Sequence, residues 1–196
     1  MRTAKLVLTL IALAVPAAVL ASTPTRPAAP VARTAADQGA SDSLHANAMK
    51  FLEAADARQR LELNLDKLLE EGKKSMLRPD SGISQQFANE WVKRMKLRIS
   101  LDEFVTAAAH AYEKYFTGDE LDQLAQVQLA MKNGQIHTVS PELAQKVRSS
   151  SASIQRDINA ATSLIGARLG KEVGSQIQME HPEWVKLAAP APAPQK

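Results

Sequence analysis

The same helix-starting device occurs twice in this chain, seventeen residues apart, and it excludes a strand through the segment that carries it. Ser100 and Thr117 stand where helix N-caps stand, and Glu103 and Glu120 follow them by three positions. At that spacing the cap hydroxyl accepts from the backbone N–H of the third helical residue, and the carboxylate accepts from the cap's own N–H. Ile99 with Phe104, and Phe116 with Leu121, are placed as hydrophobic staples that set the angle of the incoming chain. Asp102 and Asp119 add negative charge at the positive end of each helix dipole. Phe116 closes one predicted helix and directly precedes the cap of the next, so two helices meet in a tight corner at Thr117.

Around that corner, apolar residues recur with a period near 3.6 and strand patterns are nearly absent. A first helix is expected from Leu44, with Ser41, Asp42 and Ser43 as cap candidates. A second carries Leu61, Leu65, Leu68, Leu69 and Met76 on one face and must stop before Pro79. A third is capped by Ser84 and buries Phe87, Trp91 and Met95; a fourth runs from Leu101 to about Phe116. The fifth presents Leu121, Leu124, Val127 and Met131 and ends at Asn133 and Gly134, a left-handed stop. Ser140 caps a sixth, with Pro141 in its first position. Its seam is Val147, Ser151, Ile154, Ile158, Ala161 and Ile165, spaced by alternating threes and fours, then Leu169, Val173 and Ile177. Gly166, Gly170 and Gly174 lie one residue behind the last part of that seam. Each costs about 1 kcal/mol against alanine in a helix, so either another backbone packs closely there or the helix breaks. We read a continuous helix ending before Pro182, with the glycines as a packing face or a contact between two copies of the chain.

The ends have different compositions. Arg2 and Lys5 precede an apolar run over residues 6–20 and a small-residue site ending at Ala21, the pattern of a cleaved secretory signal. The run is too short to span a bilayer as a helix, which takes about 20 residues. Residues 22–43, rich in Ala, Pro, Ser and Thr, read as a flexible linker, and the Ala-Pro repeat at 188–196 as a disordered tail. The expected organisation is therefore signal peptide 1–21, linker 22–43, an all-α bundle of five or six helices over 44–187, and the tail. With Arg2 and Lys5 removed, 22 basic residues face 21 acidic ones, so no nucleic-acid partner is implied. There is no cysteine, which removes thiol catalysis and cysteine metal sites and leaves packing alone to hold the fold.

Candidate chemistry is sparse. His110 and Glu113 share a helix at a spacing that can ligate a metal, but a di-iron bundle needs that motif twice with further glutamates. His110 therefore reads as a solvated histidine, and no metal or cofactor is expected. The serines among residues 149–153 lack a nucleophile elbow, and Asp102/Glu103 and Asp119/Glu120 are occupied as caps. P-loop, dinucleotide-binding and zinc-protease motifs are missing, so an enzyme is not expected. Lys93, Arg94, Lys96 and Arg98 beside Trp91 read as a wet helix face whose long stems cover apolar surface, with a docking patch for acidic lipid or protein as the second reading.

The segment Ala111-Tyr-Glu-Lys-Tyr-Phe-Thr-Gly-Asp-Glu-Leu-Asp-Gln-Leu124 resembles the signature of the domain-of-unknown-function 2059 family, Tyr-x-x-x-Phe-Thr-x-x-Glu-Leu-x-x-Leu followed by Phe-Tyr-x-Ser-Pro-x-Gly. Tyr112, Phe116, Thr117, Glu120, Leu121 and Leu124 match; Val127 and Gln128 replace the Phe-Tyr pair, Ala130 and Met131 replace Ser-Pro, and Gly134 falls one place late. The resemblance covers about twenty-five residues and implies a small, exported, all-helical protein; the family carries no settled activity to transfer. The expected function is a non-catalytic periplasmic protein that binds another envelope protein, as an assembly or chaperone-like factor. The alternatives are a cell-wall or small-molecule site in a groove between helices, and membrane-surface attachment through the basic run.

Overall fold

The structure, a computed structural model, describes residues 37–185. Among these residues the chain is all-α, with helices α1 (Asp37–Ala54), α2 (Ala57–Met76), α3 (Gln85–Arg98), α4 (Leu101–Glu113), α5 (Gly118–Lys132) and α6 (Pro141–Glu180). A 3-10 turn, Pro182–Trp184, follows α6, and an isolated antiparallel bridge joins Ile83 to Val185. The signal segment, the first part of the linker and the Ala-Pro tail lie outside the described residues. The linker expected to reach Ser43 is already helical at Asp37, so Ser41, Asp42 and Ser43 lie inside α1 and do not cap it.

The capping box at Thr117 is formed in both directions. The Thr117 hydroxyl accepts from the Glu120 N–H at 3.3 Å, and the Glu120 carboxylate accepts from the Thr117 N–H at 2.8 Å. The preceding helix stops at Glu113, three residues short of the expected end, because the N–H groups of Tyr115 and Phe116 both turn back to the Tyr112 carbonyl. Gly118 opens α5 where the Asn47 amide of α1 packs so closely that a Cβ would meet its Nδ2 at 2.9 Å. At the other end of α5, the Gly134 N–H bonds the Met131 carbonyl and the Gln135 N–H bonds the Ala130 carbonyl, with Gly134 at φ +67°. That pair of bonds is the Schellman stop.

The helices group into two compact units. The first holds residues 62–100 and 163–185; Phe87, Val92 and Met95 of α3 are buried with Leu69 of α2 and Leu169, Val173 and Ile177 of α6. The second holds residues 37–61 and 101–162, where α1 packs on α4 and α5. Leu52 and Leu121 are fully buried there, and Ala48, Ala108 and Ala125 have no exposed surface, so the helices approach closely. Tyr112 is the aromatic centre of this second core, edge-on to Phe51 with centroids 5.0 Å apart and stacked with Phe116 at 6.2 Å.

Helix α6 is continuous over 40 residues, about 60 Å at the usual rise. Ser140 caps it, its hydroxyl accepting from the Leu143 N–H at 3.2 Å. The seam differs from expectation at two places: Ser151 is exposed, and Thr162 is buried beside a half-buried Ala161. Thr162 enters the core with its hydroxyl satisfied, donating to the Ile158 carbonyl at 2.8 Å.

Candidate functional site

His110 and Glu113 occupy the last turn of α4, and the fold brings His45 of α1 against them. His45 Nδ1 lies 2.6 Å from Glu113 Oε1, and His110 Nδ1 lies 3.0 Å from Glu113 Oε2. The two imidazole rings are tilted across a centroid distance of 5.0 Å. One carboxylate thus accepts from two imidazoles at once. Partial burial works against ionisation of Glu113, but the hydrogen bonds from His110 and His45 outweigh it and hold its pKa below the usual carboxylate range. Glu113 is the sheltered member, at 18% side-chain exposure, while His45 and His110 are open at 36% and 60%. Lys114, the nearest cation in sequence, is turned away to Asp157 at 3.0 Å. Sequence spacing identifies the His110/Glu113 pair but not the third member. His45 does share a stripe with Ala48 and Leu52, on the buried side of α1, and that was the available signal.

The other singled-out residues do not converge. Trp91 lies half-buried against α6, its indole N–H donating to the Gly170 carbonyl at 3.3 Å. Arg94 is spent within its own unit: it donates to Glu90 at 2.8 Å and to both oxygens of Glu180 at 2.9 and 2.5 Å. Lys96 pairs with Asp66 at 2.8 Å and Lys93 approaches Glu90 at 3.7 Å, while Arg98 stands exposed at the end of α3. Three of the four cations of the basic run are therefore answered by carboxylates of the protein.

Among the described residues, no backbone packs against the α6 glycines. A Cβ at Gly170 would touch the Trp91 ring at 3.6 Å and one at Gly174 the Phe87 ring at 3.8 Å, while Gly166 faces open space. Ser100 directly precedes α4 and Glu103 lies in its first turn. Ser149 and Ser151 donate back to the carbonyls of Lys146 and Arg148, as helix serines commonly do. His137 is exposed in the loop after α5, and His181 stacks on Trp184 at 3.8 Å between centroids.

A further surface feature departs from the sequence reading, which placed Met131 on the apolar face of the fifth helix with Leu121 and Leu124. Every residue over 131–138 is exposed, and Ile136 is exposed at 95%, with Leu129 and Met131 of α5 close by in sequence at 44% and 43%. Leu63, Leu97, Leu164 and Met179 are also exposed, but they are dispersed over α2, α3 and α6. No family model, curated protein or solved structure matches this chain.

Proposed function

We propose that this is an exported, non-catalytic helical protein that works by binding another protein of the cell envelope. The observation that carries the reading is the exposure of three apolar residues close in sequence at the end of α5, Leu129, Met131 and above all Ile136 at 95%. Single apolar residues on a surface are ordinary, whereas three left in water within eight residues of chain offer a partner apolar surface to cover. The Schellman stop at Gly134 supports the reading, because it fixes where the chain leaves α5 and so delivers Ile136 outward from an ordered end. Export to the periplasm rests on the pattern over residues 1–21, and kinship with the domain-of-unknown-function 2059 family on residues 112–124. No helix among the described residues is long and apolar enough to cross a membrane. The pairing of Arg94, Lys96 and Lys93 with carboxylates gives the membrane-surface alternative little free charge.

The test is recovery from envelope extracts under mild crosslinking, comparing the full chain with a Leu129→Ser/Ile136→Ser variant. A partner recovered by the first and lost with the second supports the proposal; equal recovery, or none above background, contradicts it. Recovery of the chain's own second copy alone would replace an envelope partner with a homodimer.

A further inference from the structure

We propose that His45, His110 and Glu113 form a binding site for a divalent cation of the zinc class, with three protein ligands and the remaining coordination open to solvent. One ligand atom from each residue can be chosen so that all lie within 4.8 Å of one another. Two imidazole nitrogens and one carboxylate oxygen are the donors that suit zinc, nickel, cobalt or copper, whereas magnesium and calcium prefer oxygen alone. Zinc sites with three protein ligands leave the fourth position to water or an added ligand. The exposure of His45 and His110 leaves that side open.

The local field favours a cation. The site lies on the last turn of α4, at the negative end of the helix dipole, and Glu113 brings a carboxylate to it. The geometry requires a local adjustment of the three side chains, whose ligand atoms already lie within 4.8 Å of one another. Bonds of about 2.0–2.1 Å in a tetrahedron separate ligand atoms by roughly 3.3 Å. The present separations of 2.6 and 3.0 Å, each to a different oxygen of Glu113, are shorter, so the rings withdraw from those oxygens by about 0.7 and 0.3 Å as they turn onto one cation. On binding, the cation takes the place of the two hydrogen bonds, and in each neutral ring the proton moves from Nδ1 to Nε2. Because His45 belongs to α1 and the other two ligands to α4, an occupied site would pin these helices together.

The experiment uses the untagged full chain titrated with Zn²⁺ and, separately, Mg²⁺, by calorimetry and thermal melting. The expected result is one Zn²⁺ per chain, an upward shift in Tm with Zn²⁺ and none with Mg²⁺. His110→Ala, at an exposed position, weakens Zn²⁺ binding by at least about 100-fold, the upper end of what loss of a mere outer-shell partner costs. In the unaltered protein, histidine ring resonances of His45 and His110 move with Zn²⁺ while those of His137 and His181 stay, which tests the site without any variant. Absence of binding, an equal response to Mg²⁺, unchanged affinity in His110→Ala, or Zn²⁺ shifts confined to His137 or His181 would each overturn the proposal.

Discussion

The Trp91 indole N–H donates to the carbonyl of Gly170, and the same ring lies 3.6 Å from where a Gly170 Cβ would stand. The glycines of α6 thus face aromatic rings or open space, with room left over. Since 3.4–4 Å is ordinary contact, Gly166→Ala, Gly170→Ala and Gly174→Ala are each expected to stabilise the fold, by up to about 1 kcal/mol. For a chain of this size that is a rise in Tm of roughly 2–4 °C. Gly170→Leu reverses the sign, because the larger side chain must displace the Trp91 ring. Thermal melts check both. A Gly166→Ala variant that instead loses stability would point to a second backbone seated on that face.

The corner at Thr117 gives a prediction with a pH signature. Thr117→Ala removes the cap acceptor and should cost about 1 kcal/mol. Glu120 is half-sheltered; burial opposes its ionisation, but the Lys146 ammonium and the Thr117 N–H prevail and hold its pKa below the usual carboxylate range. A carboxylate with a lowered folded pKa contributes stability above its unfolded pKa, and the contribution disappears as pH falls through the folded value. Between pH 6 and pH 3 the wild type should therefore lose more stability than Glu120→Gln, as measured by denaturant unfolding at each pH.

The caps and stops at Ser84, Thr117, Gly134 and Ser140 were legible because each is a local device, complete within five residues. The break between α1 and α2 was not. Ala55 and Asp56 carry no glycine or proline, and Asp56 takes φ +54°, a left-handed position that an aspartate tolerates. Its carboxylate is bound by Lys132 at 2.6 Å, a partner 76 residues away. A comparable separation in sequence hid His45 from Glu113, 68 residues apart. The grouping of helices into two units was equally invisible, since α2 and α6 each contribute to both and no composition change marks the division. Thr162 shows the remaining limit: whether a polar residue on a seam is buried depends on a hydrogen bond that periodicity does not report.

Burial pushes the Tyr112 hydroxyl up to about 12. A raised folded pKa means the neutral form is favoured in the fold, so stability is full below the unfolded value near 10 and falls as pH climbs towards 12. Ultraviolet titration should show Tyr112 ionising together with unfolding, and Tyr112→Phe should flatten the stability loss above pH 10. An ionisation near 10 with the fold intact would contradict the buried placement.

The proposed contact at the end of α5 predicts that function and stability separate. Leu121→Ala, at a fully buried position, should cost about 2–5 kcal/mol. Leu129→Ser and Ile136→Ser should change stability by less than about 0.5 kcal/mol if their exposed side chains serve a partner and not the core.

The most direct measurement is site-specific photo-crosslinking in intact cells, with the reactive group at position 136 and, as a control, at the exposed position 123 of α5. The account predicts one discrete adduct from position 136, suppressed by excess wild-type chain but not by the Leu129→Ser/Ile136→Ser variant, and none from position 123. No adduct at 136, or the same adducts from both positions, would contradict it.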